Sequence, residues 1–224
     1  MQLPDRNVRP IGFLKSLDSP TPTGPGILQR FRKEGERAFE MIPTREECLK
    51  LMGQYGMLEN IIHHCLEVAK VALFLSAELN KKGQKIDLQL VEAASLLHDL
   101  AKTECLETKE DHAQMGSQLL KGMGYERVGE VVARHVWLGE EGESSTVSEE
   151  EIVNYADKRV MHDRVVSLEE RFSDLKERYG RNQRAMDYLE RMQKEIYGVE
   201  NKIFFILRID PHTLQDLQLE KTVE

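Results

Sequence analysis

Histidine and aspartate are the residue types in this sequence whose positions could support chemistry. The seven histidines are His63, His64, His98, His112, His135, His162 and His212. His98 is followed directly by Asp99, at the end of the apolar run 93–97. An unpaired carboxylate is very costly to bury, so Asp99 needs a partner there. A metal ion is the simplest partner for both side chains, because imidazole and carboxylate groups both bind metals.

His64 and Asp157 also lie at positions where a helix would turn them inward. His64 shares an apolar stripe with Val68 and Val71, which follow it at helical spacing. Asp157 lies on the inner face of a later predicted helix. One such histidine alone could be an ordinary core residue. The hypothesis of a metal site depends instead on a joint pattern, in which the candidates lie on separate predicted helices or at their ends: His64, His98 with Asp99, His112, His135 and Asp157.

The candidate residues lie in a segment whose composition predicts an all-α fold. Five of the seven prolines fall within residues 1–25, and none occurs between Pro43 and Pro211. We interpret residues 1–26 as a flexible proline-rich arm, because the run SPTPTGPG cannot hold regular structure. The proline-free stretch is rich in Leu, Glu, Lys, Ala and Met, which favour helix.

Hydrophobic spacing and capping signals predict the helices of this stretch. Thr44 with Glu47, and Ser148 with Glu151, match the capping box that begins a helix. The predicted helices cover residues 27–41, 44 onward, 59–81, 87–102, 110–121, 126–136, 148–164, 167–179 and 182–207. No alternating pattern supports a sheet, although residues 203–209 could form a short strand. The last helix has a long apolar stripe, which either packs on the domain or forms the seam of a homodimer.

The charge and cysteine content argue against several classes of protein. Acidic side chains outnumber basic ones by 39 to 31, which gives a net charge of −8. This balance argues against a nucleic-acid polymer or a membrane as partner, because both present anionic surfaces. The three cysteines lack CxxC spacing, which predicts free thiols in a reducing compartment. We find neither an apolar secretion signal nor an apolar run long enough to span a bilayer, so we expect a cytoplasmic protein.

The order and spacing of five short segments resemble the HD superfamily of metal-dependent phosphohydrolases. The matching segments are HCLEVA at 64–69, ASLLHDLAK at 94–102, HAQMG at 112–116, VVARH at 131–135 and YADK at 155–158. A further segment, DRVVSLEERF at 163–172, resembles the HD domains that are often fused to molybdopterin-type nucleotidyltransferases. The resemblance covers about residues 43–180. It implies a single helical bundle. The HD domain would span residues 27–180, with residues 43–180 as its core, and a C-terminal helix and tail would follow at 181–224.

The resemblance also implies roles for individual residues. The ligands of the core metal site would be His64, His98, Asp99 and Asp157. A second ion would be held by His112 and His135, with Asp99 bridging the two ions. Some two-metal subfamilies have a His-His pair where this chain has His135 followed by Val136, so either one or two ions fit the pattern. The donor set suits Fe, Mn, Ni, Co or Zn better than Mg.

These features predict a phosphohydrolase that uses a metal-activated water to cleave the phosphate ester of a nucleotide or a related small metabolite. Asp99 and Lys102 are the predicted catalytic residues, and Lys102 would contact the scissile phosphate unless it serves only as a cation at a helix C-terminus. Arg164 would bind a substrate phosphate, with a surface salt bridge as the alternative. Two other functions remain open: a non-catalytic sensor that binds metal or nucleotide, and a structural helical adaptor.

Overall fold

The computed structural model describes residues 41–139 and 145–216. The predicted arm at 1–26 and nearly all of the predicted helix at 27–41 lie outside these ranges. The helices are α1 (Arg45–Gln54), α2 (Glu59–Lys81), α3 (Leu88–Leu97), α4 (Lys102–Thr108), α5 (His112–Gly122), α6 (Glu126–Ala133), α7 (Glu149–Arg159), α8 (Leu168–Tyr179), α9 (Gln183–Leu207) and α10 (Thr213–Asp216). Two short strands, β1 (Val160–Met161) and β2 (Arg164–Val165), follow α7. The predicted all-α fold is confirmed.

Several helices begin where the capping signals predict. Thr44 and Ser148 each accept a hydrogen bond from the backbone three residues on, and the glutamate there bonds back to complete a capping box. Asp87 caps α3 in the same way by accepting from the backbone amide of Leu90. The helix predicted over 59–81 has those bounds as α2, and α8 and α9 each begin one residue later than predicted.

The helix predicted over 87–102 forms as α3 but ends at Leu97, because the chain turns between Leu97 and Lys102. The backbone amide of Leu100 donates to the Leu97 carbonyl at 3.0 Å, and that of Lys102 donates to the Asp99 carbonyl at 2.9 Å. These three-residue bonds replace the helical ladder and start a new helix, α4. Lys102 is therefore the first residue of a helix, and its interpretation as a cation at a helix C-terminus is wrong.

The helix predicted to reach residue 164 ends instead at Arg159. A two-stranded hairpin follows, in which Val160 pairs with Val165 in antiparallel register. His162 occupies the turn with a φ of 60°, the left-handed conformation that a tight reversal requires. The strand considered at 203–209 is also wrong, because α9 continues through Leu207.

The core lies around α2, which packs against α3 on one side and α7 on another. The long C-terminal helix α9 packs back on this core through contacts with α8, α7 and α2. Its apolar stripe is buried at Met192, Ile196, Val199, Ile203 and Leu207. The stripe therefore packs on the domain, which was one of the two alternatives. No helix in the two described ranges is both long and apolar enough to cross a membrane.

A buried polar network fixes the junction between α7 and α9. Arg159 is fully buried at the end of α7, and its Nη1 lies 3.2 Å from Oε2 of Glu200. The hydroxyl of Tyr155 donates to the same Glu200 oxygen at 2.6 Å. Nε of Arg159 donates to the carbonyl of Val166 at 2.7 Å, which also ties down the chain after the hairpin. A buried arginine is tolerated here because its donors are paired.

Candidate metal centre

The fold gathers six of the sequence-predicted site residues into one buried cluster. His64 comes from α2, His98 and Asp99 from the turn after α3, His112 from the start of α5, His135 from the turn after α6, and Asp157 from α7. Five of these side chains are buried, and that of His112 is 27% exposed. Residues up to 93 positions apart in sequence thus meet at one point.

One half of the cluster joins two histidines to two carboxylates. Nε2 of His64 lies 2.9 Å from Oδ1 of Asp157. Nε2 of His98 lies 3.5 Å from Oδ2 of Asp99 and 3.6 Å from Oδ1 of Asp157. Metal–ligand bonds of about 2.0–2.2 Å separate neighbouring ligand atoms by about 3.0–3.5 Å. The observed spacings therefore suit atoms that share one ion, and ligand atoms of His64, His98 and Asp99 all lie within 4.8 Å of one another.

The other half of the cluster also includes Asp99. Its Oδ1 atom lies 3.3 Å from Nε2 of His112 and 3.6 Å from Nε2 of His135. The two histidine Nε2 atoms lie 3.1 Å apart. Asp99 therefore belongs to both groups of possible ligands, with one carboxylate oxygen toward each group. This arrangement could hold two ions with a shared carboxylate.

Backbone carbonyls orient three of the four histidine rings. Nδ1 of His64 donates to the carbonyl of His162 at 2.9 Å. Nδ1 of His98 donates to the carbonyl of Ser95 at 2.8 Å. Nδ1 of His135 donates to the carbonyl of Val132 at 2.7 Å. In a neutral imidazole this bond leaves the lone pair on Nε2, which is the atom that faces the cluster. Such hydrogen bonds are usual for metal-binding histidines.

Two buried atoms of the cluster lack a hydrogen-bond partner within the described ranges. They are Nε2 of His98 and Oδ1 of Asp99, and both side chains are at most 1% exposed. A buried polar atom without a partner is unusual and destabilising. A metal ion would satisfy both atoms at once, so the residues present fit a metal centre.

The pKa values of Asp99, Asp157 and His135 also suit metal binding. Burial would lower the pKa of His98, but Cys65, Asp99 and Asp157 together raise it well above its usual value, so an incoming ion would displace a proton from that ring. Burial alone would raise the pKa of Asp99, but the charges of His98 and Lys102 outweigh it and hold that pKa well below its usual value. Burial would likewise raise the pKa of Asp157, whereas Lys158 and His64 lower it. Burial lowers the pKa of His135 to about 4. The carboxylates are therefore ionised and His135 is neutral at pH 7, as metal ligands must be.

Each carboxylate of the cluster is paired with a lysine. Nζ of Lys102 lies 2.6 Å from Oδ2 of Asp99, and Nζ of Lys158 lies 2.6 Å from Oδ2 of Asp157. Lys158 also donates to the carbonyl of His135 at 3.0 Å. The sequence analysis gave Lys158 no role. Every residue of α7 from Ile152 onward is buried, so the lysine beside the inward Asp157 is buried too. The apolar residues earlier in this helix are the sequence signal that could have indicated this.

Two cavities reach the cluster, and we call them the apolar and the polar cavity. The apolar cavity has a volume of about 480 Å³, and its walls include Leu106, Val136, Leu175, Tyr188, Leu189 and Met192. The polar cavity has a volume of about 230 Å³ and includes Asn60, His64, His162 and Arg178. Both cavities are lined by Asp99, Lys102 and Arg171. The predicted catalytic residues Asp99 and Lys102 thus lie where the cavities meet.

The structure does not bring Arg164 to the cluster. It lies on β2 with its side chain 59% exposed, and its guanidinium is 3.9 Å from Glu170. It lines neither of the two cavities at the cluster, whereas Arg171 lines both. The sequence analysis placed Arg164 on the face of Asp157 by continuing α7 through residue 164. The hairpin after Arg159 breaks that continuation.

Comparison with known proteins identifies a domain within the chain. Residues 61–161 match the HD domain family, and this segment contains all six residues of the cluster. It is shorter than the 43–180 expected from the resemblance, and it leaves α8 and α9 outside. No solved structure matches the chain.

Three relatives illustrate the range of proteins to which the chain is similar. An uncharacterized protein of Methanocaldococcus jannaschii is 25% identical over 151 residues, which cover 62% of this chain and 88% of that protein. A tRNA (cytidine(56)-2'-O)-methyltransferase of Thermoplasma volcanium is 27% identical over 65% of this chain and 45% of its own length. Ribonuclease Y 1 of Pediococcus pentosaceus is 38% identical over 40% of this chain and 18% of its own length. The chain thus spans less than half of the two relatives whose names state an activity. Residues 61–161 of this chain are therefore an HD domain.

Proposed function

We propose that this protein is a metal-dependent phosphohydrolase that cleaves a phosphate ester of a nucleotide or a related small metabolite. One observation above all carries the proposal: four histidine Nε2 atoms and two carboxylates meet at spacings of 2.9–3.6 Å, and Asp99 is shared between two ligand groups. The HD domain supports it as well, because members of this family are typically metal-dependent phosphohydrolases.

The cluster suggests which residues would hold metal. His64, His98, Asp99 and Asp157 would hold one ion, and Asp99 with His112 and His135 would hold a second. Imidazole-rich sites suit Fe, Mn, Ni, Co or Zn, whereas Mg prefers oxygen ligands. An ion bound there would supply Lewis acidity toward a phosphoryl oxygen and would lower the pKa of a water molecule.

Lys102 would stabilise the charge that develops on the phosphoryl group. Burial would lower its pKa, but Asp99 and Asp157 raise that pKa overall, so the ammonium group stays charged at neutral pH. Its side chain is 38% exposed and lines both cavities, so a phosphate that approaches Asp99 also meets Lys102. A fixed cation at this position favours the transition state if it contacts the oxygen on which charge accumulates.

The proposal is tested with metal-reconstituted protein and a panel of phosphate esters. The panel contains mononucleotides, a cyclic dinucleotide, a dinucleoside polyphosphate and a short RNA, the last because two relatives are named for RNA. We expect hydrolysis of at least one ester, a loss of kcat of about tenfold or more in Lys102→Met, and unchanged metal content in that variant. Arg164→Met is the matched control, since this cation lies outside both cavities.

Two results would count against the enzyme. No hydrolysis of any ester by metal-loaded protein would contradict the proposal directly. Tight nucleotide binding without turnover would support the alternative, a non-catalytic sensor built on the same domain. Equal kcat in Lys102→Met and the wild type would remove Lys102 from the catalytic residues.

A further inference from the structure

Arg171 is a cation of the site that lies outside the matched HD domain. It projects from α8, and its side chain is only 14% exposed. It lines both the polar and the apolar cavity, as Asp99 and Lys102 do. The position where the two cavities meet therefore has a guanidinium on one wall and an ammonium on another.

The donors of Arg171 are only partly used by the protein. Its Nη1 lies 3.4 Å from Oδ2 of Asp174, and the same oxygen also pairs with Arg178. Nε of Arg171 is buried and has no hydrogen-bond partner among the residues described. A buried guanidinium donor without an acceptor is costly, and the single contact with Asp174 leaves other donors of Arg171 available to an acceptor in the cavities that the residue lines.

The charge around the polar cavity favours an anion. Lys102, Arg171 and Arg178 all line it, whereas the only carboxylate among its lining residues is Asp99. Asp99 is also the shared member of the metal-binding groups. Arginine binds phosphate through two parallel hydrogen bonds, which a planar guanidinium presents in a fixed geometry. A phosphate group is therefore the acceptor that best matches Arg171.

The apolar cavity suits the other part of such a molecule. Helices α8 and α9 supply Leu175, Tyr188, Leu189 and Met192 to its walls. The ring of Tyr188 is held by stacking on Trp137, with centroids 5.5 Å apart. A cavity of about 480 Å³ that combines apolar side chains with ionisable residues, most of them from the cluster and its lysines, is typical of a site for a small organic molecule.

We propose that Arg171 binds the substrate phosphate where the two cavities meet, and that the apolar cavity takes an ester group with a flat, largely apolar body. The assignment deepens the proposed function, on which it rests. It means that α8 and α9, which lie outside the matched HD domain, help to select the ester group. It also replaces Arg164 by Arg171 as the arginine for the substrate phosphate.

The first test measures binding of inorganic phosphate by calorimetry to the metal-loaded protein. We expect Arg171→Met to weaken phosphate binding by about ten- to hundredfold, the range for a lost hydrogen bond to a charged group. Metal content should stay at the wild-type level, since the side-chain contact of Arg171 in the described ranges is with Asp174 and not with any of the six cluster residues. The matched control is Arg164→Met, whose phosphate affinity should stay within about twofold of wild type because a surface ion pair contributes little.

A second variant separates the effect of the two parallel hydrogen bonds of the guanidinium from the effect of its charge. Arg171→Lys keeps the cation on the same helix, so its phosphate affinity should lie between those of the wild type and Arg171→Met. With p-nitrophenyl phosphate as substrate, Arg171→Met should raise KM more than it lowers kcat. Equal phosphate affinity in the wild type and both variants would overturn the assignment, and so would loss of metal in Arg171→Met.

The outcomes distinguish this assignment from the proposed function. Phosphate binding that depends on Arg171, in a metal-loaded protein that hydrolyses no ester, would support the assignment and refute the enzyme. Hydrolysis with phosphate affinity unchanged in Arg171→Met would support the enzyme and refute the assignment.

Discussion

Replacing Lys158 by methionine should destabilise the metal-free protein strongly and the metal-loaded protein much less. The side chain of Lys158 is 5% exposed and that of its partner Asp157 is 10% exposed, with 2.6 Å between Nζ and Oδ2. Removing one member of a buried ion pair costs about 3–5 kcal/mol, because the other charge is left without its partner. Methionine keeps most of the apolar stem, so little of the loss comes from packing.

The size of the effect can be measured by thermal unfolding in a metal chelator. In a domain of this size, about 1 kcal/mol shifts Tm by about 2–4 °C, so the loss corresponds to about 6–20 °C. A bound ion would replace the lysine as the partner of Asp157, so reconstitution with metal should recover most of the Tm that Lys158→Met loses. The control is Lys81→Met, which removes an exposed pair with Glu78 and should change stability by less than about 1 kcal/mol.

Two results would refute this reasoning. If Lys158→Met lost no more stability in chelator than Lys81→Met, the ion pair with Asp157 would not be needed in the folded protein. If metal failed to reduce the difference in Tm between Lys158→Met and the wild type, Asp157 would not be a metal ligand.

Three further predictions concern the junctions of the fold and the wall of the apolar cavity. Glu200→Gln should destabilise the protein by about 2–4 kcal/mol in urea unfolding, because it leaves buried Arg159 without its counter-charge; a loss below about 0.5 kcal/mol would contradict this. Thr44→Ala should cost about 1 kcal/mol by removing the capping box of α1, with exposed Thr108→Ala as the control, and equal stability of the two variants would contradict it. Tyr188→Ala should raise KM for p-nitrophenyl phosphate at least about fivefold while phosphate affinity stays constant, because only the apolar wall changes; an unchanged KM would contradict it.

The helices that were predicted well are those whose signals are local. The stripe on α2, the capping boxes at Thr44 and Ser148, and the long stripe on α9 depend only on residues within a turn or two. Local signals could not predict whether the apolar stripe of α9 packs on the domain or forms the seam of a homodimer. The outcome depends on where α8 and α7 lie, and the sequence contains no measure of that.

The breaks in helical structure were not predictable in the same way. Residues 93–102 are good helix formers except for Ser95, His98 and Asp99, yet the chain turns at His98 and Asp99. The tertiary contacts of these two side chains outweigh the local helix propensity. The hairpin after Arg159 has the same origin, because its turn places the His162 carbonyl against the ring of His64.

The cluster itself could be predicted from the sequence, whereas its surroundings could not. The inward positions of His64 and Asp157 follow from helical spacing, and the structure brings them together with the other four residues. Arg164 was predicted to bind a substrate phosphate by continuing a helical face past an unpredicted turn, whereas the structure places it outside both cavities and near Glu170, as in the alternative of a surface salt bridge. Arg171 reaches the cavities through the packing of α8 on α9 and α7.

Elemental analysis of the purified protein tests the central claim most directly, with Asp99→Ala as the comparison. Asp99 is shared by both ligand groups, so its removal should disrupt either ion. We predict one or two equivalents of a transition metal per wild-type chain, and a loss of most of that metal in Asp99→Ala. Wild-type protein that binds no metal even after reconstitution, or an Asp99→Ala variant with wild-type metal content, would contradict the assignment of this cluster as a metal centre.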